Sequence, residues 1–164
     1  MRVVLVRHGE AIDSHAVASD MLRFLTPNGR RTVRRVGDAL VEHGLAVTRI
    51  FTSPLVRAVQ TAEILAGASG LEGPVEVWTP LAGGTTAQAL SCLDHAAPDD
   101  VVALVGHEPS IRTMAAHLTG FERFPGFRTG GVSVIDRRDG GGSFQWALDP
   151  RTLERVDTVD DMIP

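Results

Sequence analysis

The sequence predicts an α/β protein in which a parallel or mostly parallel sheet is covered by helices on both faces. Short apolar runs typical of buried strands alternate with segments whose apolar residues recur at helical spacing. Two of the apolar runs, residues 3–6 and 101–105, end in polar motifs, as strands do at the ligand-binding edge of an open α/β sheet. A chain of 164 residues is most simply one domain, residues 1–164.

The chain begins with a predicted strand and, after a polar stretch, a well-marked helix. Residues 3–6 form the strand, and the polar segment covers residues 11–24. The helix has Thr26 as its N-cap, Pro27 at its first position and Gly44 as its terminator.

A second and a third predicted strand, each followed by a helix, complete the first two thirds of the chain. A short strand over residues 48–51 leads to Ser53-Pro54, which signals an N-cap and a first helical position. The third strand covers residues 75–78, and a Gly-rich loop separates it from a helix over about residues 85–96. The apolar positions of the helix after Ser53-Pro54 recur at helical spacing: Leu55, Ala58, Ala62 and Leu65.

The last third predicts one more strand and helix, followed by a β-hairpin. The strand over residues 101–105 leads to a helix that Pro109 opens and Gly120 closes. The tail from Arg151 onward is charged, which indicates a surface position. The hairpin consists of residues 132–135, residues 144–148 and the turn Asp139-Gly140-Gly141-Gly142.

Composition excludes several classes of function. All sixteen basic residues are arginine, so Schiff-base lysine chemistry and the lysine of a Walker-type phosphate loop are both ruled out. The net charge of −4 gives no support for a nucleic-acid or membrane partner. The single cysteine, Cys92, excludes an intramolecular disulfide and a cysteine-rich zinc site. Because the chain starts with a strand pattern, we expect a cytoplasmic protein.

Three polar motifs lie where predicted strands end, and together they indicate an anion site. Arg7-His8-Gly9 follows the first strand, and Gly106-His107 follows the fourth. Arg57 lies in the first turn of the helix after the second strand, near the positive end of that helix. Guanidinium groups suit phosphate oxygens, and Gly9 lets the backbone approach closely and supply an N–H. A neutral imidazole among such cations could accept a phosphoryl group.

These motifs, in this order, resemble the histidine phosphatase (phosphoglycerate-mutase-like) superfamily. The matching segments are Arg7-His8-Gly9, Ser53-Pro54-Leu55-Val56-Arg57-Ala58 with Gln60-Thr61-Ala62, and Gly106-His107. The SixA-type phosphohistidine phosphatase branch is similar in two further regions: Ser19-Asp20 with residues 23–29, and the strand 144–146 with Pro150 and Leu153. The resemblance implies a three-layer α/β/α sandwich with a mostly parallel central sheet, and it requires no metal or cofactor.

The resemblance also implies a role for individual residues. His8 would be the nucleophile that is transiently phosphorylated, and Arg7, Arg57 and His107 would form the phosphate pocket. Arg23 would lie at the lip of this pocket.

One carboxylate expected in the superfamily is missing. Members that act on sugar or glycolytic phosphates usually have an acid after the third strand, but the loop over residues 80–87 contains none. A protonated phosphohistidine loses a neutral imidazole, which needs little help from an acid. The missing acid therefore favours a P–N bond, or an activated ester, over an alkyl phosphate. Three other acids are candidates for proton transfer: Glu10, Asp13 and Glu108. We expect them instead to orient an arginine or cap a helix.

The sequence is compatible with three functions. The leading hypothesis is a metal-independent phosphatase for phosphohistidine in a protein, with inorganic phosphate as product. A small-molecule phosphomonoesterase would use the same chemistry, and a noncatalytic phosphate-binding module would use only the pocket. Four arginines of the first helix are either a solvated face or a dock for an acidic protein: Arg30, Arg31, Arg34 and Arg35.

Overall fold

The computed structural model describes residues 1–138 and 141–162. The strands of this part are β1 (Arg2–Arg7), β2 (Arg49–Thr52), β3 (Val75–Val77), β4 (Val101–Gly106), β5 (Val132–Arg138), β6 (Gly141–Leu148) and β7 (Arg155–Val156). The α-helices are α1 (Pro27–Glu42), α2 (Val56–Ser69), α3 (Thr86–Leu90) and α4 (Ser110–Thr119). Short 3₁₀ turns cover Ser14–Ala16, Asp20–Leu22, Thr79–Ala82 and Ser91–His95.

The described strands form one sheet in the order β3-β2-β4-β1-β5-β6-β7. The four strands from β3 to β1 are parallel. Strand β5 pairs antiparallel with β1, β6 pairs antiparallel with β5, and β7 pairs antiparallel with β6. The sheet is therefore mixed, with a parallel half and an antiparallel half. In the parallel half Arg7 lies opposite Gly106, so the residues that follow these two positions emerge side by side.

Helices cover both faces of the sheet, which confirms the three-layer sandwich. The buried faces of α1 and α2 pack on one side, where Val33, Leu40 and Leu65 are fully enclosed. On the other side α4 and the segment around α3 bury Ile111 and Cys92. Cys92 is thus a core thiol as expected, and burial raises its pKa to about 12.

Helix α1 starts and ends where its sequence predicts. The Thr26 hydroxyl accepts a hydrogen bond from the Gly29 N–H, and Gly44 adopts the left-handed conformation after the last turn. A Cβ on Gly29 would collide with the backbone carbonyl of Glu10, so only glycine lets the loop after β1 lie against this helix. The close approach fixes the loop that carries the Arg7-His8-Gly9 motif.

Other expected elements differ from the structure. Helix α2 begins at Val56 with Leu55 as its N-cap residue, so the prediction that Ser53 caps this helix is wrong. The helix expected over residues 85–96 is split into α3 and a 3₁₀ turn. The charged tail contributes β7, which the sequence did not indicate.

The predicted hairpin forms, but its strands are longer than expected. Strands β5 and β6 pair antiparallel, and Gly141 and Gly142 of the expected turn belong to β6. Asp139 and Gly140 of that turn lie outside the described residues. The four arginines from Arg30 to Arg35 are exposed. Within the described ranges, no helix combines the length and apolarity needed to cross a membrane.

Candidate active site

His8 and His107 meet at the carboxyl edge of the parallel strands. His8 follows β1 and its backbone N–H donates to the Gly106 carbonyl, at the end of β4, over 3.0 Å. The centroids of the two imidazole rings are 5.0 Å apart, with the planes tilted by 53°. Strand adjacency therefore brings together two histidines that are 99 positions apart in the sequence.

The partners of His8 fix its tautomer. Its Nδ1 lies 2.7 Å from the Gly9 carbonyl oxygen, which only accepts, so Nδ1 carries the proton. Its Nε2 receives the Nε–H of Arg57 over 3.2 Å, so Nε2 is a bare acceptor. Burial, reinforced by the charges of Arg57, Arg7 and Arg23, lowers the pKa of His8 to about 4. His8 is thus a neutral imidazole whose Nε2 is unprotonated and accepts the hydrogen bond of Arg57.

Arg57 occupies the first turn of α2 and is only 6% exposed. Its Nε–H points to His8, while Nη1 donates to the backbone carbonyl of Asp20 over 2.7 Å. Nη2 donates to the Asp20 carboxylate over 2.9 Å. All three nitrogens of this guanidinium therefore have named partners, and one of the three is the candidate nucleophile.

Arg7 and Arg23 complete the positive surroundings of His8. Nη1 of Arg7 donates to the Phe127 carbonyl over 2.5 Å, and its buried Nε has no hydrogen-bond partner among the described residues. Arg23 is partly exposed, with Nε bonded to the Ile12 carbonyl and Nη1 to the Asp20 carboxylate. Arg23 lies beside the site because the Asp20 carboxylate that it contacts also binds Arg57.

The role expected for Gly9 differs in the structure. Its N–H donates to the Thr61 hydroxyl over 3.1 Å, and that hydroxyl donates to the Arg57 carbonyl. A Cβ on Gly9 would lie 2.6 Å from a methyl group of Val33. Gly9 therefore holds the loop against α2 and α1. Because its N–H already donates to Thr61, Gly9 does not offer that N–H to a phosphate.

His107 is hydrogen-bonded to Ser53, which the sequence predicted to be a helix N-cap. Its Nε2 lies 2.7 Å from the hydroxyl of Ser53, a fully buried residue at the end of β2. That hydroxyl also accepts the Leu55 N–H over 3.4 Å. Nδ1 of His107 is a buried atom without a hydrogen-bond partner in the described part of the chain. Burial, then the neighbouring His8 and Arg57, lower the pKa of His107 to about 3.

The three acids singled out in the sequence have structural partners. Glu10 accepts from the Asn28 side chain, and Asp13 caps the first 3₁₀ turn by accepting the His15 N–H. Glu108 accepts the Phe127 N–H over 2.7 Å, and the carbonyl of that same residue holds Arg7. Glu108 thus supports an arginine, as the sequence interpretation favoured.

Sequence reasoning missed three contributors to the site: Asp20, Ser53 as a partner of His107, and Thr61. Asp20 binds both Arg23 and Arg57, which lower the pKa of its carboxyl group through their hydrogen bonds. A lone acid in a polar segment carries no signal of such a contact. Across residues 1–138 and 141–162, no cluster of three or more histidine, cysteine or acidic side chains is suited to a metal ion.

Comparisons with known proteins agree with this geometry. The family model of the histidine phosphatase superfamily (branch 1) matches residues 3–82. Phosphohistidine phosphatase SixA of Escherichia coli K12 is 30% identical over 164 residues, covering 97% of this chain and 100% of its own length. An uncharacterized Picosynechococcus protein is 41% identical over 114 residues, which cover 68% of each chain.

The fold comparison leads to the same group of proteins. The solved structure of the protein histidine phosphatase SixA complexed with tungstate has a TM-score of 0.84 to this chain at 29% identity. The match covers 94% of this chain and 100% of that one. The paired histidines and Arg57 lie at one edge of the sheet, and SixA matches this chain along its whole length. The chain therefore belongs to the histidine phosphatase superfamily, on the branch of SixA.

Proposed function

We propose that this protein is a phosphatase that removes the phosphoryl group from phosphohistidine in a protein, through a phosphorylated His8. The observation that carries the proposal is the neutral His8, whose Nε2 lone pair is unprotonated and faces the Arg57 guanidinium. Similarity to the phosphohistidine phosphatase SixA along the full chain supports the same substrate class. We further propose a cytoplasmic location, where a single reduced cysteine such as Cys92 is typical.

The reaction has two displacements at phosphorus. Nε2 of His8 attacks the phosphoryl group, an Nε2–P bond forms, and the P–N bond of the substrate breaks. The substrate imidazole leaves as a neutral molecule because its other nitrogen already carries a proton. Water then attacks phospho-His8, which releases inorganic phosphate and restores the neutral imidazole.

The surrounding groups stabilise the charge on the three oxygens of the transferred group. Arg57 is next to Nε2 of His8, and Arg7 adds a second guanidinium to the site. In the proposed site the Ser53 hydroxyl donates to Nε2 of His107, so that His107 offers the protonated Nδ1, a buried atom without another partner among the described residues. The hydrogen bond from His8 Nδ1 to the Gly9 carbonyl stabilises the positive charge that forms on the ring during attack.

The acids of the site favour a P–N substrate. The loop over residues 80–87 contains no carboxylate to protonate an alkoxide. The pKa of Asp20 is lowered by its hydrogen bonds to Arg23 and Arg57, so this carboxyl group has no proton to donate near neutral pH. A leaving group that needs no proton from the enzyme therefore fits best.

A turnover comparison tests the substrate class. A phosphohistidine-bearing phosphotransfer domain, an aryl phosphate and a set of alkyl phosphates are measured side by side as kcat/KM. The phosphohistidine protein is expected to be fastest and the alkyl phosphates slowest. Faster alkyl phosphates would favour a small-molecule phosphomonoesterase, and no turnover of any substrate would favour a noncatalytic phosphate-binding module.

The stability of the protein is expected to fall when the pH is lowered from neutrality. In the fold the pKa values are lowered to about 4 for His8 and about 3 for His107, against ~6.5 in an unfolded chain. Unfolding therefore takes up protons below about pH 6.5, and the contribution that is complete above this pH is lost as the pH falls towards 4. Denaturant unfolding at several pH values measures the fall. A His8→Asn variant should show a shallower dependence, and an unchanged one would contradict the neutral state of His8.

Removing the Ser53 hydroxyl is expected to slow turnover by about tenfold, the scale of one lost buried hydrogen bond. In Ser53→Ala nothing holds Nε2 of His107 as the acceptor, so the ring can place its proton there instead of on Nδ1. Nitrogen chemical shifts of the imidazole, measured by NMR, report which atom is protonated. Ser53→Thr keeps a hydroxyl and serves as the matched control. If Ser53→Ala retains both the tautomer and the rate, Ser53 does not orient His107.

A further inference from the structure

Asp20 belongs to a loop whose ends are tied together beside the site. The neck of the loop is closed by a hydrogen bond from the Ile12 N–H to the Phe24 carbonyl and by the bridge between Ala11 and Leu25. Inside the loop, Ser19 caps the second 3₁₀ turn, whose first residue is Asp20. Local hydrogen bonds therefore hold the backbone of Asp20 in a defined place.

Asp20 contacts two arginines of the site at once. Its carboxylate accepts from Nη2 of Arg57 over 2.9 Å and from Nη1 of Arg23 over 3.1 Å, through different oxygens. Its backbone carbonyl accepts from Nη1 of Arg57 over 2.7 Å. Two guanidinium groups that would otherwise repel each other are thus bridged by one acidic residue.

The contacts with Arg57 restrict the orientation of its planar guanidinium. Both terminal nitrogens are directed to Asp20, and the remaining Nε–H is then directed to Nε2 of His8. A guanidinium has fixed donor directions, so holding one end sets the direction of the other. The Asp20 side chain is 56% exposed, in contrast to that of Arg57. An exposed carboxylate contributes little ion-pair energy, so Asp20 acts mainly by orienting the Arg57 guanidinium.

We propose that Asp20 is the positioning residue of the phosphoryl-transfer site: by binding the terminal nitrogens of Arg57, and by linking them to Arg23, it directs the Arg57 Nε–H at the phosphoryl group on or near His8. The inference rests on the proposed function, because its test measures kcat and KM for the turnover of phosphorylated substrates. Asp20 acts through Arg57 and does not touch the transferred group.

Two other roles for Asp20 give different results and are separated by experiment. A carboxylate that binds the leaving imidazole would matter for P–N substrates only. A carboxylate that competes with phosphate for Arg57 would weaken anion binding, and its removal would strengthen it. A positioning residue affects every substrate with a phosphoryl group, since Arg57 acts on the part that they share.

The test compares Asp20→Ala, Asp20→Asn and Asp20→Glu with the wild type, and uses Asp13→Ala as the matched loop control. Asp13 is an acid of the same loop that caps the other turn and contacts no arginine through a described hydrogen bond. For each variant kcat and KM are measured on a phosphohistidine protein and on an aryl phosphate. Equilibrium dialysis with inorganic phosphate gives anion affinity independently of turnover, and melting temperature verifies folding.

Asp20→Ala is expected to lower kcat about tenfold or more on both substrates, because a misplaced catalytic group costs up to about 10²-fold. Phosphate binding should weaken, Asp20→Glu should recover part of the rate, and Asp13→Ala should match the wild type. In an Arg57→Ala background, Asp20→Ala should cause little further loss, because the partner through which it acts is gone.

Each contrary outcome overturns the inference in a distinct way. A loss confined to the P–N substrate would assign Asp20 to the leaving group, and tighter phosphate binding would make it a competing anion. Full additivity with Arg57→Ala would show that it does not act through that residue. If the wild type turned over neither substrate, the proposed function would fail, while phosphate affinity of the Asp20 variants would still decide whether Asp20 positions Arg57.

Discussion

His8→Ala is expected to abolish turnover, with a fall in kcat of about 10⁶-fold, the scale seen when a catalytic nucleophile is removed. The atom that is lost is Nε2, the unprotonated acceptor beside Arg57. No other imidazole replaces it, because Nε2 of His107 is bound to Ser53 and the proposed tautomer has its proton on Nδ1. Phosphate binding should survive in part, since Arg7, Arg57 and His107 remain.

The control for this variant is His117→Ala. His117 is an exposed histidine of α4 and contacts none of the site residues through a described hydrogen bond. It should keep the wild-type rate, and equilibrium dialysis with inorganic phosphate should show binding by His8→Ala. Turnover by His8→Ala within tenfold of the wild type would mean that water attacks the substrate directly.

Arg57→Ala is expected to lower kcat by roughly 10²–10³-fold, the usual cost of one donor to a developing oxyanion. Arg57 is buried, contacts Nε2 of His8 and carries full positive charge, so it meets the charge that builds up on the phosphoryl oxygens. Arg57→Lys keeps the charge but loses the planar set of donors, and should recover only part of the rate.

An aryl phosphate is the best substrate for this measurement, because it removes any effect of protein docking. Arg34→Ala is the matched control, since Arg34 is an exposed arginine on the outer face of α1. A rate for Arg57→Ala within threefold of the wild type would mean that the phosphate pocket is assembled from other groups.

The edge of the sheet that holds the site could be predicted from the sequence. The apolar runs of β1 and β4 end in Arg7-His8 and Gly106-His107, and their side-by-side position follows from the rule that ligands bind at strand carboxyl ends. Arg57 was placed in the first turn of a helix, and the structure has it there. Local patterns suffice for these residues because each is fixed by the element that carries it.

Contacts between distant segments could not be predicted in the same way. Ser53-Pro54 has the local pattern of a helix N-cap, but the partner of Ser53 is His107, 54 residues further along the chain. Asp20 meets Arg57 across 37 residues, and nothing near Asp20 in the sequence points to that contact. The N–H of Gly9 is likewise taken by Thr61, which lies 52 residues away.

The phosphorylated intermediate can be observed directly. The protein is mixed with a phosphohistidine substrate carrying labelled phosphate, quenched within a single turnover in alkali, and digested for mass spectrometry. The nitrogen that carries phosphorus is identified by NMR of the trapped protein. Label on Nε2 of His8, formed before inorganic phosphate and lost at the rate of its release, is the expected result. Phosphate released with no labelled protein, or label on another residue or on Nδ1 of His8, would contradict nucleophilic attack by Nε2 of His8.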